Sequence, residues 1–143
     1  MAHAENEVII NQPVDRVYTF LCDGLNNNKW RPSVISVGLA DGQPGQVGAQ
    51  YRQLLKGPGG SNIAGDYKIT VAKPGQELSF AVIAGPARPT GSYYFEPAGD
   101  GTKLKFVLDY KPRGFAWFMK SMIQKTMNSE VAQLANLKQV LES

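Results

Sequence analysis

Three features of the sequence predict an α+β fold in which a curved antiparallel sheet wraps around one long C-terminal helix. Residues 115–141 contain neither Gly nor Pro, although the chain holds 15 glycines and 9 prolines. That segment reads as one uninterrupted helix of roughly 40 Å, about the span of a small domain. Before it, about 80 residues alternate apolar and polar side chains between short Gly/Pro turns, which is the pattern of about seven strands. Two short helical segments follow the first of them. A sheet curled around a bulky helix leaves room for a hollow between the two, and what that hollow holds is the functional question.

Each element has its own signal. The first strand starts at about residue 5 and is carried by the β-branched run Val8, Ile9 and Ile10. Gln12-Pro13-Val14-Asp15 opens a helix, with Pro13 suited to its first turn and Asp15 favoured at the positive end of its dipole. Val14, Val17, Tyr18 and Leu21 recur at helical spacing, and Asp23-Gly24 stops the run. A second short helix over 25–30 ends at Arg31-Pro32. Strands then follow at 34–39, 49–56, 61–72, 77–83, 90–96 and 102–110, separated by turns such as Gly57-Pro58-Gly59-Gly60 and Lys73-Pro74-Gly75-Gln76. In the last strand Leu104, Phe106, Leu108 and Tyr110 oppose Lys103, Lys105 and Asp109. Short turns between successive strands imply an antiparallel meander. With no repeat, low-complexity tract or linker, residues 1–143 read as a single domain.

At 100° per residue Met119, Ile123, Met127, Leu134, Leu137 and Leu141 share a stripe of the long helix less than about 100° wide. Glu130 falls inside that stripe. Phe115, Trp117 and Phe118 crowd the N-terminal end.

Bulk properties exclude several function classes. A net charge of +3, from 15 basic and 12 acidic residues, is mild and scattered. The nearest basic cluster is Lys103, Lys105, Lys111 and Arg113, two of them on the solvent side of a strand, so a nucleic-acid partner is not expected. Cys22 is the only cysteine and His3 the only histidine. No intramolecular disulfide, His/Cys metal set, Ser-His-Asp triad or Cys-His pair can be assembled, and no metal or cofactor is expected. His3 reads as a mobile terminal residue. Gly57-Pro58-Gly59-Gly60 lacks the Gly-Lys-Ser/Thr end of a phosphate loop and joins strands. No signal-peptide pattern and no stretch of membrane-spanning length is present, so the expected address is the cytoplasm, without stable membrane insertion.

Five segments in order resemble a known family. They are Ile10-Asn11-Gln12-Pro13-Val14-Asp15-Arg16-Val17 leading to Trp30; Gly85-Pro86-Ala87-Arg88-Pro89-Thr90-Gly91-Ser92-Tyr93-Tyr94-Phe95-Glu96-Pro97; Gly101-Thr102; Lys111-Pro112-Arg113-Gly114; and Leu134-Ala135-Asn136-Leu137-Lys138 with Leu141-Glu142. Together they resemble the helix-grip fold of the START/birch-pollen-allergen-like (SRPBCC) superfamily, and within it the polyketide cyclase/dehydrase and lipid-transport-like branch. The resemblance covers nearly the whole chain. It implies an internal cavity and a hydrophobic small molecule, lipid or polyketide-like, as partner. It also implies, for some members, cyclisation or dehydration of polyketides.

The candidate cavity residues follow from the alternation. Tyr51, Tyr67, Phe80, Tyr93, Phe95, Phe106 and Tyr110 face the helix, either as packed core or as pocket wall. Several buried tyrosines in one small domain favour a partly wet cavity, because each hydroxyl needs a partner. Met119, Met122 and Met127 offer a pliable wall or core packing. Gln53, in phase with Tyr51, is a polar contact inside. Trp30 is placed near the cavity entrance by the resemblance, or anchors the short helices. Arg88, stiffened by flanking prolines, clamps an anion at the rim or pairs with Glu96 or Asp100. Glu130 is the one candidate for chemistry. In an apolar stripe its carboxyl would serve as a general acid or base, whereas a helix rotated by about 40° would expose it and pairing with an arginine such as Arg16 would make it structural.

Three readings follow: a binding or carrier module for a hydrophobic or amphipathic molecule, a cyclase/dehydrase-like enzyme using Glu130 or a pocket tyrosine, and a protein-interaction module with a filled core. Monomer and homodimer both remain open.

Overall fold

Period-two alternation becomes a sheet with one buried face. The computed structural model describes residues 2–85, 87–111 and 120–143. Its strands are β1 (Ala2–Ile10), β2 (Val34–Asp41), β3 (Gln50–Lys56), β4 (Asn62–Ala64), β5 (Tyr67–Lys73), β6 (Glu77–Val82), β7 (Thr90–Ala98) and β8 (Gly101–Tyr110). Its helices are α1 (Val14–Cys22), α2 (Asn27–Trp30), α3 (Lys120–Ala132) and α4 (Leu134–Glu142), with a single 3₁₀ turn, Gly24–Asn26, leading into α2. The strands form one antiparallel sheet in the order β1-β8-β7-β6-β5-β3-β2, and β4 pairs antiparallel with the end of β3. The architecture is therefore the helix-grip arrangement of a curved antiparallel sheet and a long C-terminal helix. Register shifts in β2 and between Ile69 and Val71 in β5 mark β-bulges, which add twist and bend the sheet.

Several boundaries differ from the sequence expectation. The first strand begins at Ala2 rather than near residue 5, because β1 pairs with β8 without a break from Ala2↔Tyr110 to Ile10↔Thr102. His3 is consequently no mobile end. Its backbone N–H donates to Gln124 Oε1 at 3.0 Å, and its ring bonds Asp109 and Glu5. Pro13 is the N-cap of α1, one residue before the first turn.

The expected strand over 61–72 divides into β4 and β5 at Gly65-Asp66. There the Gln53 N–H leaves the ladder and donates to Asp66 Oδ1 at 3.1 Å. Gly65 lets the Leu55 side chain pack closely at the break, since a Cβ on it would lie 2.7 Å from Leu55 Cδ1 and push that side chain aside.

The C-terminal helix is not uninterrupted. At Gln133, where ψ is −9°, the bonding tightens: Gln133 N–H reaches Glu130 O and Asn136 N–H reaches Gln133 O, both three residues back. The Gln133 side chain is at the same time drawn onto Ser33 and Glu130. Phe115, Trp117, Phe118 and Met119 lie outside the described residues.

The core lies between the concave sheet face and the helices. Met127, Glu130, Leu134, Leu137 and Leu141 are buried on the stripe that the 100° spacing predicts, Ile123 of that stripe is half-buried, and Val131, outside it, is buried as well. Thr102, Leu104, Phe106, Leu108 and Tyr110 are the buried row of β8. Val17, Tyr18 and Leu21 bury the inner side of α1, with Tyr18 set edge-on to Phe95 at 5.2 Å. A run of rings crosses the sheet from Tyr51 through Tyr67, Phe80, Tyr93 and Phe106 to Trp30, with neighbouring centroids 4.5–6.5 Å apart. Gly91, opposite Phe80 in the ladder, makes room for that ring, since a Cβ there would come within 2.2 Å of Phe80 Cζ. Among the described residues no helix is long and apolar enough to cross a membrane.

Candidate functional site

Where the sheet bends away from α3, the side chains do not fill the space. A cavity of about 160 Å³ opens between β3, β4, β6, β8 and α3. Its walls are apolar side chains (Leu55, Ile63, Phe80, Val82, Leu108 and Ile123), with Ala87 and Pro89 from the connection between β6 and β7. Arg31, Gln53, Tyr110, Thr126 and Glu130 add polar atoms. A broader groove of about 600 Å³ adjoins it, lined by Ser33, Lys56, Lys125, Ser129 and Gln133 among others. Lys56, Met122, Thr126 and Glu130 border both spaces. Deeper in the core, Asn27, Arg31, Tyr67, Phe80 and Tyr93 surround a void of about 20 Å³, the room one water needs.

A polar network at the inner end joins elements far apart in sequence. Arg31 leaves the C-terminus of α2 and donates from Nη2 to Glu130 Oε2 at 2.9 Å. The same oxygen accepts from Ser33 Oγ at 2.9 Å and from Gln133 Nε2 at 2.8 Å. Arg31 and Glu130 are both buried, 7% and 8% exposed, so each needs the other. Burial is the largest single influence on Arg31 and lowers its pKa, but the charge and hydrogen bond of Glu130 together with Tyr93 and Tyr67 outweigh it, and the guanidinium is held above its ordinary value. Arg31 also lies against the Trp30 ring, 5.8 Å from its centroid. Beside this pair, Asn27 Nδ2 donates to Gln53 Oε1 at 3.0 Å and to Tyr67 Oη at 2.8 Å.

This geometry changes the chemistry expected of Glu130. The residue faces inward, but its surroundings are not apolar, and its partner is Arg31 rather than Arg16. One of its oxygens is engaged by three donors, which is the bonding of an anchored carboxylate. Two of the buried tyrosines are held in their neutral form. Burial is the main cause that pushes Tyr93 up to about 12 and Tyr67 well above the ordinary phenol range, so both stay protonated at neutral pH. Burial is also the main cause that raises the Cys22 thiol.

The other candidates separate by position. Gln53, Phe80, Tyr110 and Met122 line the cavity, and Tyr67 and Tyr93 line the inner void with Phe80. Trp30 is not at an entrance: it is 2% exposed and packed edge-on against Tyr93 and Phe106. Tyr51, Phe95, Phe106 and Met127 are core residues that border none of these spaces. Arg88 is exposed, pairs with neither Glu96 nor Asp100, and among the described residues donates to the Gly85 carbonyl at 3.4 Å, although its neighbours Ala87 and Pro89 line the cavity. Met119 lies outside the described residues.

The residues that sequence reasoning missed are Arg31, Ser33, Asn27 and Gln133. Arg31 read only as a helix end before Pro32, and nothing local signals a partner 99 positions away. Asn27, one of three successive asparagines, read as turn former. Only its position three residues before a buried tryptophan hints that it faces inward.

Comparison with known proteins gives one consistent picture. The family profile described as polyketide cyclase/dehydrase and lipid transport matches residues 1–142. No curated protein matches the sequence. Among solved structures, TTHA0849 from Thermus thermophilus superposes with a TM-score of 0.82 at 19% identity, covering 98% of this chain and 97% of that one. An aromatase/cyclase from a Streptomyces species superposes with a TM-score of 0.81 at 16% identity, covering 98% and 93%. A START superfamily protein from Mycobacterium smegmatis gives a TM-score of 0.81 at 16% identity, covering 99% and 98%. At such identities the likeness is one of fold.

Proposed function

We propose that this chain, which belongs to the polyketide cyclase/dehydrase and lipid transport family, binds a hydrophobic or amphipathic small molecule between its sheet and its C-terminal helix. The observation that carries this reading is the cavity of about 160 Å³ with aliphatic and aromatic walls and a few convergent polar groups, opening beside a wider groove. Such a lining is what small-molecule sites share. Closing the space with larger side chains would have packed the core better, because each unfilled volume costs dispersion contacts.

Binding or carriage is favoured over proton-transfer chemistry by the state of the polar groups. Glu130 is anchored by Arg31, Ser33 and Gln133, and Tyr67 and Tyr93 hold their protons. Native mass spectrometry of protein purified from its own host is the test, followed by thermal shift across a panel of lipids and polyketide-like molecules. A co-purifying ligand and a saturable rise in Tm are expected. No ligand and no shift across the panel would count against the reading. Turnover of the identified ligand, lost in Glu130→Gln, would move the assignment to a cyclase/dehydrase-like enzyme.

A further inference from the structure

The two edges of the sheet are finished differently. On β1 the C-terminal helices take up outward backbone groups: Gln124 bonds both the N–H and the carbonyl of His3, and Lys138 Nζ donates to the Ile9 carbonyl at 2.6 Å. On β2, at the other end of the strand order, no hydrogen bond outside the ladder with β3 reaches residues 35–40 among the described residues. A Cβ added at Gly38 would meet nothing within 4 Å beyond its chain neighbours, so no other part of the described chain lies over the strand there.

Open edges are normally guarded by lysine, proline or inward-pointing charge. Val34-Ile35-Ser36-Val37-Gly38-Leu39-Ala40-Asp41 carries one charge, at its last position, and Ile35 and Leu39 are 41% and 40% exposed. Its two bulges, between Val34 and Ser36 and between Leu39 and Asp41, bound a regular run that remains available for pairing.

The strand is complementary to itself. Set antiparallel about a two-fold axis at Val37, two copies place Val37 against Val37, Ile35 against Leu39 and Ser36 against Gly38, apolar beside apolar and small beside small. No like charges meet, because Asp41 falls opposite Ser33 of the other copy. The Ser33 carbonyl accepts the Lys56 N–H at 2.8 Å, so Lys56 is the next residue along that row. Asp41 and Lys56 are both exposed, and neither has an ion-pair partner among the described residues. Across two strand spacings, about 10 Å, their side chains reach one another.

We propose that this chain forms a two-fold homodimer by pairing β2 with β2 of a second copy, closed at each end by Asp41 of one copy against Lys56 of the other. With β1 covered by the helices, the pairing stops at two copies and does not run on into a fibre. Ser33 and Lys56 also line the groove beside the cavity, so each copy sets its Asp41 at the rim of the other's groove. One short strand per copy is a small interface, below the roughly 1,200 Å² of standard complexes, so the dimer is expected to dissociate at about 10–500 µM.

Sedimentation velocity of the full chain from about 5 µM to about 1 mM, with amide hydrogen exchange at both ends of that range, tests the proposal. A mass rising from monomer to dimer is expected, with exchange slowed at residues 35–40 and unchanged in β1. Asp41→Lys and Lys56→Asp should each weaken self-association about tenfold, because like charges then meet at both ends. An equimolar mixture of the two should recover dimerisation, since both contacts again join opposite charges, a result that misfolding of either variant would not give. Ile35→Lys, which leaves both charges in place, should abolish pairing while the melting curve shows a folded chain.

A chain that stays monomeric throughout overturns the proposal. So does a dimer whose slowed amides lie outside β2, or a mixture no more dimeric than its components. Protection of residues 35–40 by an added extended peptide, in a chain that stays monomeric, would likewise overturn it and give the edge to a foreign strand.

Discussion

At Glu130 the hydrophobic stripe and the carboxylate make opposite demands, and Arg31 reconciles them. The helix turns residue 130 inward because Met127, Val131, Leu134 and Leu137 must be buried, and the charge is then held by three donors. Removing one member leaves the other buried and unpaired. Arg31→Met is therefore expected to cost about 3–5 kcal/mol in urea unfolding, and the double variant Arg31→Met/Glu130→Leu to recover most of it. A double variant as unstable as the single one would mean that the pair does not account for the loss. Helical spacing put residue 130 on the apolar stripe but left its direction open, since a roll of the helix by about 40° would have exposed it. Its partner was not legible, because α2 and α3 meet only through the fold, and the Arg31-Pro32 dipeptide announces a helix end just as well when the arginine is in solvent.

Among the elements, β1 depends most on side-chain ties beyond its ladder. Gln124 of α3 bonds both the N–H and the carbonyl of His3, and Asn6 Nδ2 donates to Val131 O at 3.0 Å, so the outer strand is pinned to the helix. The His3 imidazole lies between Asp109 and Glu5, and only its protonated form can donate to both. Its pKa is accordingly raised above 6.5, chiefly by the bond to Asp109 and then by that to Glu5.

A group raised in the folded state stabilises fully below its unfolded pKa and loses that contribution as pH rises through the folded one. The Tm advantage of wild type over His3→Gln should be present at about pH 5.5 and gone by about pH 9; an advantage that grows with pH would contradict it. The effect is small, since the ring and its partners are roughly half exposed.

Strand existence was readable because alternation and turn residues are local signals. The split at Gly65-Asp66 was not, because it arises from one side chain, Asp66, taking the Gln53 N–H. The tightening at Gln133 likewise follows from tertiary partners, Ser33 and Glu130, rather than from any Gly or Pro.

Over the whole molecule, the cavity lies between a sheet bent by bulges and the C-terminal helix, and no residue run encodes that volume directly. The buried tyrosines pointed to a wet interior, yet Tyr51 found partners in Gly45 N–H and the Cys22 carbonyl and belongs to the core, whereas Tyr110 lines the cavity. The aliphatic residues Leu55, Ile63, Val82 and Ile123 form part of the wall and carry no polar signal that separates wall from core. Filling the space should disable binding without unfolding the chain. Val82→Phe is expected to abolish the ligand-dependent rise in Tm while the unliganded Tm moves by only a few degrees, about what 1 kcal/mol produces in a chain of this size. A rise in Tm undiminished in that variant would place the ligand elsewhere.

The most direct measurement is methyl-selective NMR during titration with benzene, which a cavity of about 150 Å³ accommodates. The account predicts saturable shifts at Leu55, Ile63, Val82, Leu108 and Ile123, which line the cavity, while Leu134 and Leu137 in the sealed core stay in place. The absence of saturable shifts, or shifts confined to exposed Ile35, Leu39 and Val47, would contradict it.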